Sequence, residues 1–528
     1  MLTLALHPFQ EQDVDRMVVR GSLLLGYGMG TGKTIMALAA CEALFGSDQA
    51  ATALLVVPAS LRWQWANRIA MCTDTGRRGV SLRRGAAELV VPAEDHCVLL
   101  DADTDYAHVK AARPDYMICS YETLTRNTEE ILALDPDIVV IDEAQMIKHP
   151  GSARTKAVKK LRPRYRYALT GTPMDNGRPE EIYSIMQWVD PSVLGRWDLF
   201  DKAYISRNRF GGVAFYKHLD TLHTTLRNAM ARKIATDPDV AAHMPKVEYV
   251  AHRVILDEDT QRLYARVTSD LAALLEECGA SAMDVEALYS ADGGASGGDS
   301  ALGRAMSART VTRMLLDHPE LVRISARNYG RKERATDPGS AYAHTLMHAG
   351  LLYAKLGTPK LDELQELLAE LLVDPAAKGV VFSSYATMLP LLADALKRYG
   401  PTRFDGGMNA NMRERSTAAF ATDPECRLLL ATDAGGAGLD LPTASFVINY
   451  DLPAGLGRYS QRNARHQRAG SPHPVIQVID LVCADTLDEH DHAVLRSSAA
   501  VARAGVDGEH GGAPGFAARR PSLQAHLA

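Results

Sequence analysis

Two short apolar runs in this chain each stop abruptly at a polar cluster, and together they constrain the fold more than any other feature. Leu23, Leu24 and Leu25 read as a buried strand, followed by Gly28-Met29-Gly30-Thr31-Gly32-Lys33-Thr34, and Ile35 to Leu44 reads as a helix. The glycines therefore occupy a strand-to-helix loop, where unpaired backbone N–H groups and the helix dipole both favour a phosphate. Ile138, Val139, Val140 and Ile141 form a second buried strand that ends on Asp142-Glu143-Ala144-Gln145. Uninterrupted apolar strands of this kind belong to parallel sheets covered by helices on both faces.

In such a loop Lys33 reaches the outer phosphates of a nucleoside triphosphate, and the Thr34 hydroxyl takes one position on Mg²⁺. The second strand delivers Asp142 towards the metal and Glu143 towards the attacking water. ATP and Mg²⁺ are thus the expected ligands, with Gly28, Met29, Gly30, Thr31, Gly32, Lys33 and Thr34 around the phosphates. The loop departs from G-x-x-x-x-G-K-[ST] at its first position, which is Tyr27. A glycine-rich turn is common, and so is a pair of solvated carboxylates. Both together, in this order and each on the right kind of strand, carry the assignment.

At 528 residues the chain has room for two to four domains, and 46% hydrophobic with 23% charged residues excludes a disordered protein. The net charge of −6 supplies no global basic field, so any nucleic-acid contact must come from a local basic cleft. Cys41, Cys72, Cys97, Cys119, Cys278, Cys426 and Cys483 are scattered and never form C-x-x-C, which predicts reduced thiols and no zinc module. The N-terminus lacks a basic region plus apolar core, and no run is long enough to span a bilayer. The expectation is a cytoplasmic protein, nucleoid-associated if bacterial and in the host cytoplasm if viral.

Alternating strands and helices run from the start to about Val189, with Leu54–Val57, Tyr116–Cys119 and Tyr167–Leu169 as further buried strands. The pattern returns from about Lys378 with Val380–Phe382, Leu428–Ala431, Phe446–Asn449 and Val475–Ile479. Residues 190–355 read as mostly helical, broken by the glycine-rich loop Gly293-Gly294-Ala295-Ser296-Gly297-Gly298. Lys360 to Leu372 reads as an amphipathic helix opening the second α/β unit. After about Ser497 the composition turns Ala/Gly/Arg/Pro-rich, which predicts a disordered tail.

Further stations follow in order. Leu6-His7-Pro8-Phe9-Gln10 precedes the glycine loop, and Val56-Val57-Pro58-Ala59-Ser60-Leu61 follows a strand, with Trp65 just beyond. Ser120-Tyr121-Glu122-Thr123-Leu124 and Leu169-Thr170-Gly171-Thr172-Pro173 each close a strand. Val381-Phe382-Ser383-Ser384-Tyr385, Ala434-Gly435-Gly436-Ala437-Gly438-Leu439 and Gln461-Arg462-Asn463-Ala464-Arg465-His466-Gln467-Arg468-Ala469-Gly470 lie in the second half. Between the halves stand Met230-Ala231-Arg232-Lys233, Met244-Pro245-Lys246, His318-Pro319 and Pro359-Lys360-Leu361.

Taken in order, these motifs resemble helicase superfamily two and, within it, the Swi/Snf-like DNA translocases, as a divergent bacterial- or phage-type member. The resemblance implies an α/β fold of two RecA-like parallel-sheet lobes with a mostly helical insertion between them. The implied boundaries are 1–190 for the ATP-binding lobe, 191–355 for the insertion, 356–496 for the second lobe and 497–528 for the tail. It also implies that Gln10 reads the adenine edge. Arg465 and Arg468 share one helix face, and by resemblance that face looks back across the cleft at the γ-phosphate, where a guanidinium keeps its charge. Pro58, Ser60, Ser120, Thr172, Ser383, Gly435 and Gly436 are the implied DNA contacts, mostly hydroxyls and glycines that meet backbone phosphates. The basic run Arg154, Lys156, Lys159, Lys160, Arg162, Arg164 and Arg166 reads first as a solvated face.

Departures are visible. The Gln461–Gly470 stretch carries Ala464 where the family has Gly and Gln467 where it has His, Asp440 stands where Asn is frequent, and Ala454-Gly455-Leu456-Gly457 replaces a tryptophan-rich stretch. The expected function is a DNA-stimulated ATPase that translocates along duplex DNA, with Lys33, Glu143, Arg465 and Arg468 catalytic. The alternatives are a strand-separating or branch-migrating helicase, and an ATP-gated DNA clamp or motor subunit of a defence complex.

Overall fold

The computed structural model describes residues 5–73, 80–84, 87–91, 96–209, 211–277, 301–330, 340–352, 355–433, 441, 443–464 and 471–509. The strands in chain order are β1 (Ser22–Leu25), β2 (Ala53–Val57), β3 (Val80–Arg84), β4 (Ala87–Val91), β5 (Cys97–Leu99) and β6 (Tyr116–Ser120). They continue with β7 (Ile138–Ile141), β8 (Tyr165–Leu169), β9 (Ile205–Arg207), β10 (Val213–Tyr216), β11 (Met230–Ala231) and β12 (Lys246–Val254). The last are β13 (Gly379–Phe382), β14 (Thr402–Phe404), β15 (Leu428–Ala431), β16 (Phe446–Asn449) and β17 (Val475–Cys483). A seven-stranded sheet in the order β11-β1-β8-β7-β2-β6-β5 builds the first lobe, and a six-stranded sheet in the order β12-β17-β16-β13-β15-β14 builds the second. Each is parallel throughout. This is the α/β class with two parallel-sheet lobes.

The apolar runs are uninterrupted because both sheet faces are covered, and the period of two sorts them. Leu24, Leu54, Val56, Val139 and Ile141 pack into one core. Their neighbours Leu23, Leu25, Leu55, Val57, Ile138 and Val140 pack into another on the opposite face. The second sheet divides likewise, with Val381, Leu428, Leu430 and Ile448 on one side and Val380, Phe382, Leu429 and Val447 on the other. No helix among the described residues is long and apolar enough to cross a membrane.

Three features differ from the sequence expectations. Within the supposedly helical insertion, β11 adds an edge strand to the first sheet, and β12 pairs along its whole length with β17 of the second. An antiparallel β9–β10 pair also lies there. The tail expectation fails for its first residues: a helix runs from Leu487 to Ala502 and passes into a π-helical turn at Arg503–Asp507. Val501, Ala504 and Val506 are buried in a first-lobe core, so an alanine-rich composition here marks close packing rather than disorder. The rest of that tail, and the Gly293–Gly298 loop, lie outside the described residues.

A charged network is sealed inside the second lobe. The Lys360 ammonium, fully buried, donates to Asp317 at 2.9 Å and to Asp488 at 2.6 Å. Burial alone lowers an ammonium's pKa, but the two carboxylates reverse this and hold Lys360 well above its usual range. Nearby, Arg309 pairs with Asp491 at 2.8 Å. Removing one partner of such a group strands the others without counter-charge. Lys360→Ala should therefore cost about 3–5 kcal/mol of stability by chemical denaturation, and adding Asp317→Asn and Asp488→Asn should recover more than half of that loss.

Candidate nucleotide site and inter-lobe cleft

The glycine loop leaves β1 and is held at its base by continued pairing with the β11 side: Gly26 N–H donates to Ala231 O at 2.9 Å and Gly28 N–H to Lys233 O at 2.7 Å. Gly30 and Gly32 take φ of 77° and 89°, the left-handed region that glycine enters without strain. Gly32 is also the N-cap of the Lys33–Gly46 helix, so the loop presents the start of that helix. The Lys33 ammonium donates to Tyr27 O and Gly28 O, both at 2.9 Å, and is thereby held over its own loop. Tyr27, at the position where the motif has glycine, turns its ring fully into the core, and its hydroxyl donates to Asp13.

Gln10 is buried beside this loop. Its Nε2 donates to Thr31 O at 2.8 Å, and its Oε1 accepts from His7 N–H at 2.9 Å. Each bond uses one of two N–H groups or one of two lone pairs, so one donor and one acceptor position remain for another polar edge. A Cβ at position 32 would sit 2.5 Å from that Nε2, so a residue other than glycine would displace Gln10.

At the end of β7, Asp142 Oδ2 accepts from Trp65 Nε1 at 2.8 Å and Oδ1 from Glu143 N–H at 2.9 Å. Burial, followed by the neighbouring Glu143 charge, raises the Asp142 carboxyl to about 6; Lys33 opposes this only weakly. Glu143 itself is held at φ 50°, uncommon for a side chain of its size. A buried carboxyl raised in this way fits a divalent cation, with Asp142 and the Thr34 hydroxyl at the start of the Lys33–Gly46 helix as the candidate ligands.

A hydrogen-bonded path leaves Glu143 and ends on the second lobe. Gln145 Nε2 donates to Glu143 Oε2 at 2.6 Å, and Thr170 Oγ1 donates to Gln145 Oε1 at 2.7 Å. Thr172 N–H donates to Thr170 Oγ1 at 3.0 Å, and its own hydroxyl to Asp175 Oδ1 at 3.3 Å. Lys148 pairs with the same Asp175 carboxylate. The Asp175 carbonyl then accepts from Gly457 N–H of the second lobe at 2.6 Å. Beside this path lies a cavity of about 620 Å³ with walls from both lobes, among them Met29, Thr172, Tyr249, Asn463, Ala464 and Asp480.

Several expected residues fall elsewhere. Ser120 is almost fully buried, and its hydroxyl accepts from Thr123 N–H at 3.0 Å as the cap of the Tyr121–Arg126 helix, so it does not offer a DNA contact. Ser383 has no exposure and donates to Asp451, which again is an internal use. Pro58 is half-buried and Ser60 exposed at the short helical turn after β2. Gly435, Gly436, Arg465 and Arg468 lie outside the described residues. In the basic run, Arg154 faces Glu122 at 3.4 Å and Lys160 faces Glu129 at 2.8 Å, local pairings of a helix surface.

Two residues carry more than the sequence suggested. Trp65 is the core aromatic its type implies, yet its indole N–H also fixes Asp142. Arg462, fully buried, bonds Asp433, Asp451 and Ser384, tying together three strand ends of the second lobe. Acids following β15 and β16 were the available signal for it.

Facing parallel-sheet lobes, a glycine loop at a helix start after β1 and an acid pair at the end of β7, one strand removed across β8, define a helicase-like ATPase class. The SNF2-related domain model matches residues 13–314, and the helicase conserved C-terminal domain model matches residues 359–470. The chain belongs to the SNF2-related family. It is 25% identical over 476 residues to YwqA of Bacillus subtilis (strain 168), provisionally named an ATP-dependent helicase/translocase, covering 89% of this chain and 45% of that protein. It is 24% identical over 514 residues to the DNA repair and recombination protein RAD54B of Gallus gallus, covering 90% of this chain and 50% of that one. The chain thus spans half or less of the length of these relatives. The Hef helicase domain of Pyrococcus furiosus shares the fold, with a TM-score of 0.54 at 17% identity over 93% of this chain and 98% of that chain.

The sign of the Asp142 shift fixes a pH dependence. A carboxyl whose folded pKa lies above its unfolded value adds stability at low pH and loses it as pH rises. Between pH 5 and 8 the nucleotide-free chain should lose about 1–3 kcal/mol that Asp142→Asn does not lose. Denaturation midpoints of the two proteins at both pH values measure the difference.

Proposed function

We propose that this protein is a DNA-stimulated ATPase that translocates along duplex DNA, with ATP clasped between the two lobes. The observation that carries the reading is the bonded path from Glu143 through Gln145, Thr170, Thr172 and Asp175 to the backbone of Gly457. A change in charge at Glu143 on hydrolysis has a short polar route to the second lobe. Ala464 supports the same reading, because it lines the cavity opposite Met29 and immediately precedes Arg465 in the chain.

On this reading the loop amides of Gly28–Thr34 and the Lys33 ammonium bind the phosphates, and Gln10 turns its remaining amide positions to the adenine. Asp142 and Thr34 would hold Mg²⁺, which would supply positive charge beside the phosphates. Glu143 orients the attacking water and accepts its proton. Arg465 and Arg468 complete the site from the second lobe. Each hydrolysis cycle closes and reopens the cleft, and the lobes alternate their grip on one backbone. Ser60, Pro58, the half-buried Thr172 and the Gly435-Gly436 segment are the retained DNA contacts; Ser120 and Ser383 are withdrawn because they are buried as well as bonded inside the fold. We assign β11 to the first lobe and β12 to the second, which shortens the insertion at its front end.

Steady-state ATP hydrolysis titrated with duplex, single-stranded and branched DNA tests the reading. Duplex should stimulate turnover at low salt, with apparent affinity falling steeply as salt rises. Glu143→Gln should lower kcat by about 10²–10⁴, and Arg465→Ala by about 10³ or more. Triplex displacement without unwinding of a forked substrate marks translocation; unwinding favours the strand-separating alternative. Absence of any stimulation by duplex at low salt overturns the proposal.

A further inference from the structure

Arg232 sits at the junction of the phosphate loop, the Thr170–Pro173 turn and the C-terminal segment. Its Nη1 donates to Gly26 O, where the loop leaves β1, and to Gly171 O at 3.2 Å, where the turn leaves β8. These are neighbouring parallel strands, so one guanidinium fixes the spacing of the two segments that flank Lys33. The fit is close: a Cβ at Gly171 would meet Met29 Cγ at 2.8 Å and Lys33 Nζ at 3.7 Å. On its other edge Arg232 Nε donates to Asp507 Oδ1 at 2.6 Å. A guanidinium is planar, and its donors diverge at fixed angles, so anchoring one edge sets the direction of the other.

Asp507 is the last residue of the π-helical turn that continues the Leu487–Ala502 helix. The front of that helix is rooted in the second lobe by Asp488 on Lys360 and by Asp491 on Arg309. Its far end is docked on the first lobe by Val501, Ala504 and Val506, and by the His223 ring against Val506 O at 2.9 Å. Gly177 admits this approach, since a Cβ there would lie 2.3 Å from Ser498 O. The side chain that orients Arg232 is therefore carried on an element anchored in both lobes.

We infer that Arg232 is a positioning residue of the nucleotide site and that Asp507 aims it, so that docking of the C-terminal turn sets the geometry of the phosphate loop. The inference rests on reading Gly28–Thr34 as that loop. A tilt of the long helix against the first lobe draws Asp507 away, releases the guanidinium from the two carbonyls and loosens the loop. Nucleotide binding in turn favours the docked turn, because linkage is reciprocal.

Hydrogen exchange on the full chain without nucleotide tests this directly. Asp507→Asn should make peptides covering residues 26–33 and 170–173 exchange about tenfold faster, the scale of one lost charge-assisted hydrogen bond. Peptides of β13 to β17 should keep their protection. Asp507→Glu should stay within about twofold of the unaltered chain, because it keeps the charge. Arg232→Ala should loosen the same two segments, and the double variant Arg232→Ala/Asp507→Asn no further, since both remove one interaction. Unchanged protection in Asp507→Asn, loosening spread equally over both sheets, a Glu variant as loose as the Asn variant, or additive effects would each overturn the inference. Loss of the ATPase reading would show separately, as absence of turnover in the unaltered chain, and would leave the exchange result standing.

Discussion

A carboxylate taken out of water costs several kcal/mol unless dipoles or cations replace its hydration, and the first lobe sets one at the end of a fully buried strand. Asp142 receives an indole N–H and a backbone N–H, and still remains raised to about 6. Neither donor carries a full charge, so these two bonds meet the carboxyl with dipoles alone. The backbone contributes to the same tension. Glu143 is bent into the left-handed region, flanked by Tyr121 OH on Asp142 O at 2.7 Å on one side and the Ala144–Ile147 turn on the other. What the lobe holds, then, is a buried carboxyl that its two donors only partly stabilise.

The second lobe handles buried charge in the opposite way. Lys360, Arg309 and Arg462 are each met by carboxylates inside the protein, and the groups join elements far apart in sequence. Lys360 links the Pro359–Leu371 helix to residues before the lobe and to the long C-terminal helix. Paired buried charges of this sort fix register and orientation more than they add net stability.

Much of this was legible in the chain. β1, β2, β7, β13, β15 and β16 announce themselves as apolar runs because both of their faces are covered. The edges were not legible: β11 has two residues, and β12, Lys246 to Val254, mixes Glu248, His252 and Arg253 among its apolar positions. Its pairing partner β17 lies far along the chain, and no local pattern encodes that. Ser120 and Ser383 were misread because a hydroxyl closing a strand has two uses, a ligand outside or a cap inside, and only burial separates them. Arg462 was passed over for the opposite reason, since a basic residue among basic residues reads as surface until its acids are found. The alanine-rich C-terminal stretch was misjudged because small side chains serve tight docking as well as disorder.

The replacement of a tryptophan-rich stretch by Ala454-Gly455-Leu456-Gly457 now has a geometric reason. A Cβ at Gly457 would fall 1.4 Å from Asp175 Oδ1, and one at Gly455 2.4 Å from Asn176 Oδ1, so a larger residue at either position would have to push these side chains aside. In exchange the lobes meet backbone to backbone, Gly457 N–H on Asp175 O, with Asp175 itself braced by Lys148 and Thr172. Glu181 adds to the brace by accepting from both the amide and the side chain of Asn176. Side-chain contacts between lobes absorb small movements by changing rotamer, whereas a main-chain contact has no such slack. The Asp175–Gly457 bond is main-chain on both sides, and the glycines at 455 and 457 are what let the second lobe approach closely enough to make it.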